Sequence, residues 1–204
     1  MVKIGVIHLG LGNAGSVKNM VEYLGYSCEF IETYKDLKNI DKLIFPGVGS
    51  FDAGVKKLKE RNLFESLQEF VLYKEKPLLG ICLGMQLLTC CSEEGMEEGL
   101  SIIPAKTVKF DFKSKTLPLP HMGWNYVKIV KKGNLFRDFN EETRFYFVHS
   151  YHILVKDKSI ISSLTCYGYE FVSSFEYKNI FGVQFHPEKS HKFGLKLLKN
   201  FLEV

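Results

Sequence analysis

Little in this 204-residue chain points away from an ordinary globular protein. No apolar run approaches the roughly 18 residues of a membrane span. No charged n-region, long apolar h-region or small-residue cleavage site opens the chain, and Met1-Val2-Lys3-Ile4 leads directly into an apolar strand pattern, so export is not expected. Charge of one sign is scarce as well. Lys and Arg number 27 against 23 Asp and Glu, a net +4. The densest basic positions, Lys56-Lys57-x-Lys59 and Lys128, Lys131 and Lys132, read as a solvated face and not as a nucleic-acid footprint. The five cysteines are odd in number and hold no Cys-x-x-Cys pair, which fits reduced cytoplasmic thiols better than a disulfide framework. Repeats, linkers and low-complexity stretches are missing. These absences lead to an expectation of one domain over 1–204, cytoplasmic, without membrane, nucleic acid, cofactor or metal.

What is present centres on Gly80-Ile81-Cys82-Leu83-Gly84. Pro77-Leu78-Leu79 enters it as a buried strand, and Met85-Gln86-Leu87-Leu88 leaves it as a helix start. Gly-x-Cys-x-Gly between a strand and a helix is the pattern of a nucleophile elbow. The glycines are needed because side chains would collide in so tight a turn. Backbone N–H groups at the helix start favour an anion there. Cys90 and Cys91, placed in the same helix, read as core packing.

The first half alternates strands and helices: strands at 3–8, 27–31 and 42–45, with helices at 16–24, 50–58 and 62–73. That order predicts a parallel sheet with helices on both faces. From 101 the period changes to strands at 107–112, 125–130, 144–149, 160–166, 170–177 and 180–185, with a closing helix at 190–202. The acidic stretch 92–100 reads as a solvated loop. Gly10-Leu11-Gly12-Asn13-Ala14-Gly15 has the form of a dinucleotide loop, with Glu29 or Glu32 as its acidic partner, a weak pattern taken alone. Pro46-Gly47-Val48-Gly49 ends the third strand and reads either as a simple turn or as half of an oxyanion hole. Pro120-His121-Met122-Gly123-Trp124-Asn125 reads as a loop, its tryptophan either a buried anchor or an exposed docking residue.

The second strong signal is Gln184-Phe185-His186-Pro187-Glu188. In extended chain His186 and Glu188 share a side, so the acid can steady the imidazole. Cys82, His186 and Glu188 then form a nucleophile, base and orienter. His149 and His152, three apart on a strand, face opposite ways, which argues against a metal pair.

These motifs resemble class I (triad-type) glutamine amidotransferases. Pro46-to-Phe51, His121-Met122-Gly123-Trp124-Asn125 and Tyr146-Phe147-Val148-His149-Ser150-Tyr151 are similar to the glutaminase subunits of imidazole glycerol phosphate synthases within them. The resemblance implies a three-layer α/β fold, a mostly parallel central sheet flanked by helices with an antiparallel β-rich second half. It also implies hydrolysis of L-glutamine by Cys82, His186 and Glu188. An oxyanion hole would come from Leu83, Val48 and Gly49, and glutamine contacts from Gly47, Gly49, Gln86, Ser150 and Tyr151. The implied partner is a (β/α)8-barrel cyclase subunit in a heterodimer, with Asn13, Trp124, Asn125, Tyr146 and Lys189 at the interface or gate. One departure stands out: His8-Leu9 occupies the place of the family's usual Asp-Tyr. It leaves room for a paralogue that supplies ammonia to a sugar-amidinating system. A stand-alone cysteine hydrolase or peptidase is the alternative of another class.

Overall fold

The structure, a computed structural model, describes residues 2–112, 117–139 and 142–204. β1 (Lys3–Ile7), β2 (Ser27–Ile31), β3 (Lys42–Gly47), β4 (Leu78–Cys82) and β12 (Ile180–Val183) lie in the order β2-β1-β3-β4-β12 with parallel pairings. Their apolar residues point alternately to two faces, the period-2 geometry of a strand buried on both sides. One face, with Ile7, Leu43, Phe45 and Leu78, packs under α2 (Phe51–Glu60) and α3 (Phe64–Gln68). The other, with Ile4, Val6, Ile44 and Ile81, packs under α1 (Ala14–Tyr23) and α5 (His191–Leu202). This is the expected three-layer arrangement.

The sheet continues antiparallel from β12 into β11 (Tyr169–Tyr177), β10 (Ile161–Tyr167) and β7 (Lys128–Ile129). β9 (Tyr151–Val155), which the sequence reading passed over, pairs with β5 (Ala105–Lys109) and touches β11. Four further expectations need correction. The 120–125 segment is not a loop: β6 (His121–Tyr126) pairs along its whole length with β8 (Arg144–His149), and Gly123 takes φ +120 within it. The 62–73 helix is α only through Gln68 and continues as a π-helical stretch at Glu69–Tyr73. The helix after the elbow, α4 (Leu83–Leu87), ends before Cys90 and Cys91, and both thiols are exposed. The Gln86 carbonyl accepts from both the N–H and the hydroxyl of Thr89, and the Cys90 N–H turns away to the Ala105 carbonyl at 3.0 Å. The acidic stretch is also more than a solvated loop. Asp52 accepts from the backbone N–H groups of Met96 and Glu97, and Lys59 pairs with Glu97 at 2.7 Å.

The glycine loop before α1 is structural in this chain. A Cβ on Gly12 would lie 3.2 Å from the Val48 nitrogen, so the loop braces the Pro46-to-Gly49 turn. Asn13 caps α1 by accepting from the Ser16 N–H. Glu29 and Glu32 face Lys3 and His8.

β3 and β4 pair in register up to Gly47 opposite Cys82. Immediately beyond, Gly84 approaches β3 so closely that a Cβ there would sit 1.8 Å from the Phe45 carbonyl oxygen. That oxygen belongs to the sheet and cannot swing aside. Gly84→Ala is therefore expected to cost about 3 kcal/mol or more, read as a lowered denaturation midpoint. Gly15→Ala, where a Cβ meets nothing within 4 Å, should be neutral or slightly stabilising.

Candidate active site

The elbow forms as its glycines require. Cys82 has φ 53 and ψ −112, a backbone conformation that side chains rarely adopt and that costs roughly 1–3 kcal/mol. A Cβ on Gly80 would lie 2.7 Å from the Met85 Cα, so both flanking positions exclude any side chain. The turn leaves Cys82 at the end of β4, 6% exposed.

The strand on the other side of β4 delivers the base. β12 runs parallel to β4, with Val183 opposite Ile81, and His186 lies three residues beyond. Its Nδ1–H donates to Glu188 Oε1 at 2.7 Å, and both side chains are almost wholly buried. The pairing was expected from extended chain, but the local geometry differs. Pro187–Lys189 form a 3-10 turn, which curls Glu188 back under the imidazole. Ser190 secures that turn by donating to the His186 carbonyl at 2.6 Å. His186 Nε2 makes no hydrogen bond among the described residues, and the Cys82 sulfur is the group whose charge acts on it most. Burial works against charge on this imidazole. The charge and hydrogen bond of a deprotonated Cys82 sulfur, then Glu188, outweigh it and raise the His186 pKa to about 10.

Around Cys82 lies a cavity of about 280 Å³. The predicted residues Val48, Gly49, Leu83, Gln86, Ser150 and Tyr151 all line it. Gly47 stands just behind, opposite Cys82 in the β3–β4 register. Four further lining residues were not foreseen, Pro120 and Val148 among them. Glu94 reaches the cavity from the acidic stretch, one carboxylate oxygen accepting from the Phe51 N–H at 2.8 Å, and His149 forms part of the wall. Glu94 has no local motif, while His149 lies within the 146–151 segment that carries the family resemblance. A larger cavity of about 760 Å³ lies over β7 and β10, where Lys128 and Glu170 pair with one another at 3.0 Å and no nucleophile–base pair is found among the described residues.

The wall is a continuous hydrogen-bond line whose direction one carbonyl sets. The Tyr151 C=O accepts from Gln86 Nε2 at 3.0 Å and from His149 Nδ1 at 2.7 Å. His149 Nε2 then accepts from His121 Nδ1 at 3.0 Å, and His121 Nε2 from Asn125 Nδ2 at 3.1 Å. Both imidazoles must be neutral for this, and burial lowers His121 to about 4 and His149 well below its ordinary value. In the other direction, Gln86 Nε2 also donates to Gln184 Oε1 at 3.0 Å, and Gln184 Nε2 lies 3.6 Å from Cys82 Sγ. His152 is apart from this line, bonded to the Tyr169 hydroxyl at 2.8 Å.

The residues expected at an interface separate into two groups. Trp124, Tyr146 and Lys189 cluster: Trp124 is 43% exposed, meets the Tyr146 ring edge-on at 6.4 Å and stacks on His191, while Lys189 sits over Tyr146 at 5.4 Å. The Tyr146 carbonyl accepts from the His186 N–H at 2.8 Å, joining this cluster to the base. Asn125 instead turns inward to His121, and the Asn13 side chain is occupied as a helix cap. Leu9 is buried in the core, so the His8-Leu9 departure presents only His8, paired with Glu32 at 2.9 Å.

Residues 6–204 match the sequence model of the class-I glutamine amidotransferase family. An imidazole glycerol phosphate synthase subunit HisH 2 from Methanococcus maripaludis is 50% identical, over 98% of each chain. A protein of the same name from Pseudomonas aeruginosa is 44% identical over 98% of this chain and 99% of its own. Among solved structures, a glutamine amidotransferase superposes with a TM-score of 0.77 over 98% of this chain and 97% of that one, at 18% identity, a likeness of fold.

The charge state of His186 can be read directly. Its imidazole should keep its proton through neutral pH and lose it near pH 10. In Cys82→Ser, which removes the sulfur's charge, the midpoint should fall, as nitrogen NMR shifts of the labelled ring would record.

Proposed function

The chain belongs to the class-I glutamine amidotransferase family, and on that premise we propose that it is the glutaminase subunit of an imidazole glycerol phosphate synthase, serving histidine biosynthesis in the cytoplasm. The observation that carries this reading is the buried line Cys82–His186–Glu188 opening on a cavity that also presents Gln86 and Glu94. The Cys82 sulfur attacks the side-chain amide carbon of L-glutamine. As the C–N bond breaks, His186 gives its proton to the departing nitrogen, releasing ammonia. Water then hydrolyses the glutamyl thioester, freeing glutamate and restoring the thiol.

The oxyanion would be held by the Leu83 N–H and one N–H of the Val48–Gly49 segment. Gly49 has φ +116, a region that glycine enters freely, so this peptide can turn between a resting and a donating orientation. One oxyanion donor is worth about 10²–10³ in rate, enough to make the turn a switch. Gly47, Gly49, Gln86, Ser150 and Tyr151 cradle the substrate, and the Glu94 carboxylate suits its ammonium group.

Ammonia is a nucleophile only while unprotonated, so it is passed directly to the partner. We assign that partner as a (β/α)8-barrel cyclase that forms imidazole glycerol phosphate and AICAR in a heterodimer with this chain. Trp124, Tyr146 and Lys189 form the docking cluster; Asn13 and Asn125, whose side chains are turned to a helix cap and to His121, belong to the interface through the segments they hold. The cluster's direct bond to His186 supports a coupling of docking to catalysis. A second reading, ammonia supply to a sugar-amidinating system, is favoured by one feature: His8, held by Glu32, replaces the acid usual at that position.

Glutamate release should be slow for the chain alone and rise about 10²–10³-fold with the cyclase and its ligand. In Cys82→Ala it should fall to background. Activity that survives Cys82→Ala rejects the mechanism, and full activity without a partner points to a stand-alone hydrolase. Rescue of a histidine auxotroph distinguishes the two acceptor pathways.

A further inference from the structure

We propose that Gln184 is a further catalytic residue of this site, its amide N–H holding the Cys82 sulfur while its carbonyl oxygen holds the substrate-facing amide of Gln86. The inference deepens the glutaminase reading above and rests on it for the identity of the substrate.

Gln184 is fully buried, one residue past the end of β12, with its backbone N–H bonded to the Ser173 carbonyl at 2.9 Å. The direction of its carboxamide is determined by its neighbours. The Tyr151 carbonyl can only accept, so the end of Gln86 that meets it must be the nitrogen. That same nitrogen faces Gln184, which must therefore present its oxygen, at 3.0 Å. The Gln184 nitrogen is left pointing at Cys82 Sγ, 3.6 Å away. Turning the carboxamide over would set two N–H groups against each other and an oxygen against the sulfur. The other polar neighbours of Sγ are the Val148 carbonyl, an acceptor at 3.9 Å, and the His186 imidazole. Gln184 is thus a neutral donor to the sulfur beside the His186 imidazole, and a donor favours the charged form of the group it contacts.

The arrangement has a chemical consequence. A donor to the sulfur increases the fraction present as thiolate while lowering the reactivity of each thiolate, with a Brønsted slope of about 0.4–0.5. The gain is therefore confined to the acid side of the pH at which the thiolate–imidazolium pair with His186 forms; above it, each thiolate lacking the donor reacts slightly faster. The second bond acts on substrate. With its nitrogen held by Tyr151 and Gln184, Gln86 is constrained to turn its oxygen elsewhere, toward the cavity it lines.

Two variants separate these effects. Gln184→Met matches the size and loses both bonds. Gln184→Glu keeps the acceptor for Gln86 and loses the donor to sulfur. The probe is iodoacetamide, with alkylation of Cys82 followed by mass spectrometry across pH and exposed Cys166 as internal control. In both variants the acid-side rise of Cys82 alkylation should move up by about one pH unit, slowing the reaction about three- to fourfold below that rise and leaving the plateau about threefold above wild type. In the cyclase complex, kcat for glutamate release should fall in both, and KM for glutamine should rise chiefly in Gln184→Met. A merely structural Gln184 would lower the melting temperature and leave the alkylation midpoint in place; that result in both variants overturns the proposal. Alkylation requires neither glutamine nor partner. A shifted midpoint in a chain that releases no glutamate supports the role of Gln184 and rejects the glutaminase reading alone.

Discussion

The contact between Gly84 and the Phe45 carbonyl is the constraint on which the rest of the site depends. It brings the start of α4 down onto β3, and only a residue without a Cβ permits the approach. With α4 held there, the chain leaving β4 has to turn sharply, and Cys82 takes up the turn in its left-handed backbone. The same closeness sets Gly47 opposite Cys82, so the loop that follows β3 borders the nucleophile. On the other flank, the parallel pairing of β12 with β4 carries Gln184 and His186 to the same end of the sheet. Residues 47, 82 and 186 meet because β4 lies between β3 and β12. Ligands bind at that carboxyl end in open α/β sheets generally.

How much of this could be read from the sequence depended on how local each feature is. The elbow is five consecutive residues, and its glycines signal a steric demand that nothing else would satisfy. His186-Pro187-Glu188 was equally visible, although the 3-10 turn that brings acid to base was not, because proline can end a strand in more than one way. β6 was obscured by Gly123 and Asn125, residues typical of turns, whereas full-length pairing with β8 overrides that preference. The exposure of Cys90 and Cys91 was hidden behind an apolar pattern that continues beyond the true helix end, where the Cys90 N–H leaves the helix for the Ala105 carbonyl. Glu94 had no motif to reveal it, since it is held at the cavity by a contact with Phe51, remote in sequence.

The hydrogen-bond line is the clearest example of what spacing cannot supply. Asn125, His121, His149, Gln86 and Gln184 come from two strands, a helix and a strand end, and their order exists only after the strands have found their registers. Once assembled, the line has a single polarity, because the carbonyl of Tyr151 accepts from both sides and cannot donate. Buried polar groups are costly when unpaired, by about 1–3 kcal/mol each, so a network anchored in this way resists rearrangement more firmly than any one bond suggests.

Buried histidines within this one region end in opposite charge states, and the difference shows how the site confines its charge. For His121 and His186 alike, burial is the largest single influence, and in each it disfavours the imidazolium. His121 has only neutral partners, the ring of His149 and the amide of Asn125, so burial prevails and its pKa falls to about 4. His186 has the Cys82 sulfur on one side and Glu188 on the other, and these reverse the outcome to about 10. Charge is thereby concentrated in the triad, while the wall around it consists of oriented neutral dipoles. In a buried site such dipoles act on charge at full strength without bringing a competing ion near the sulfur. A second imidazolium in the wall would stabilise the thiolate but repel His186, the group that must supply the leaving nitrogen with its proton. Neutral donors around Cys82 avoid that conflict, and the buried carboxamides and neutral imidazoles of this wall are the groups that can provide them.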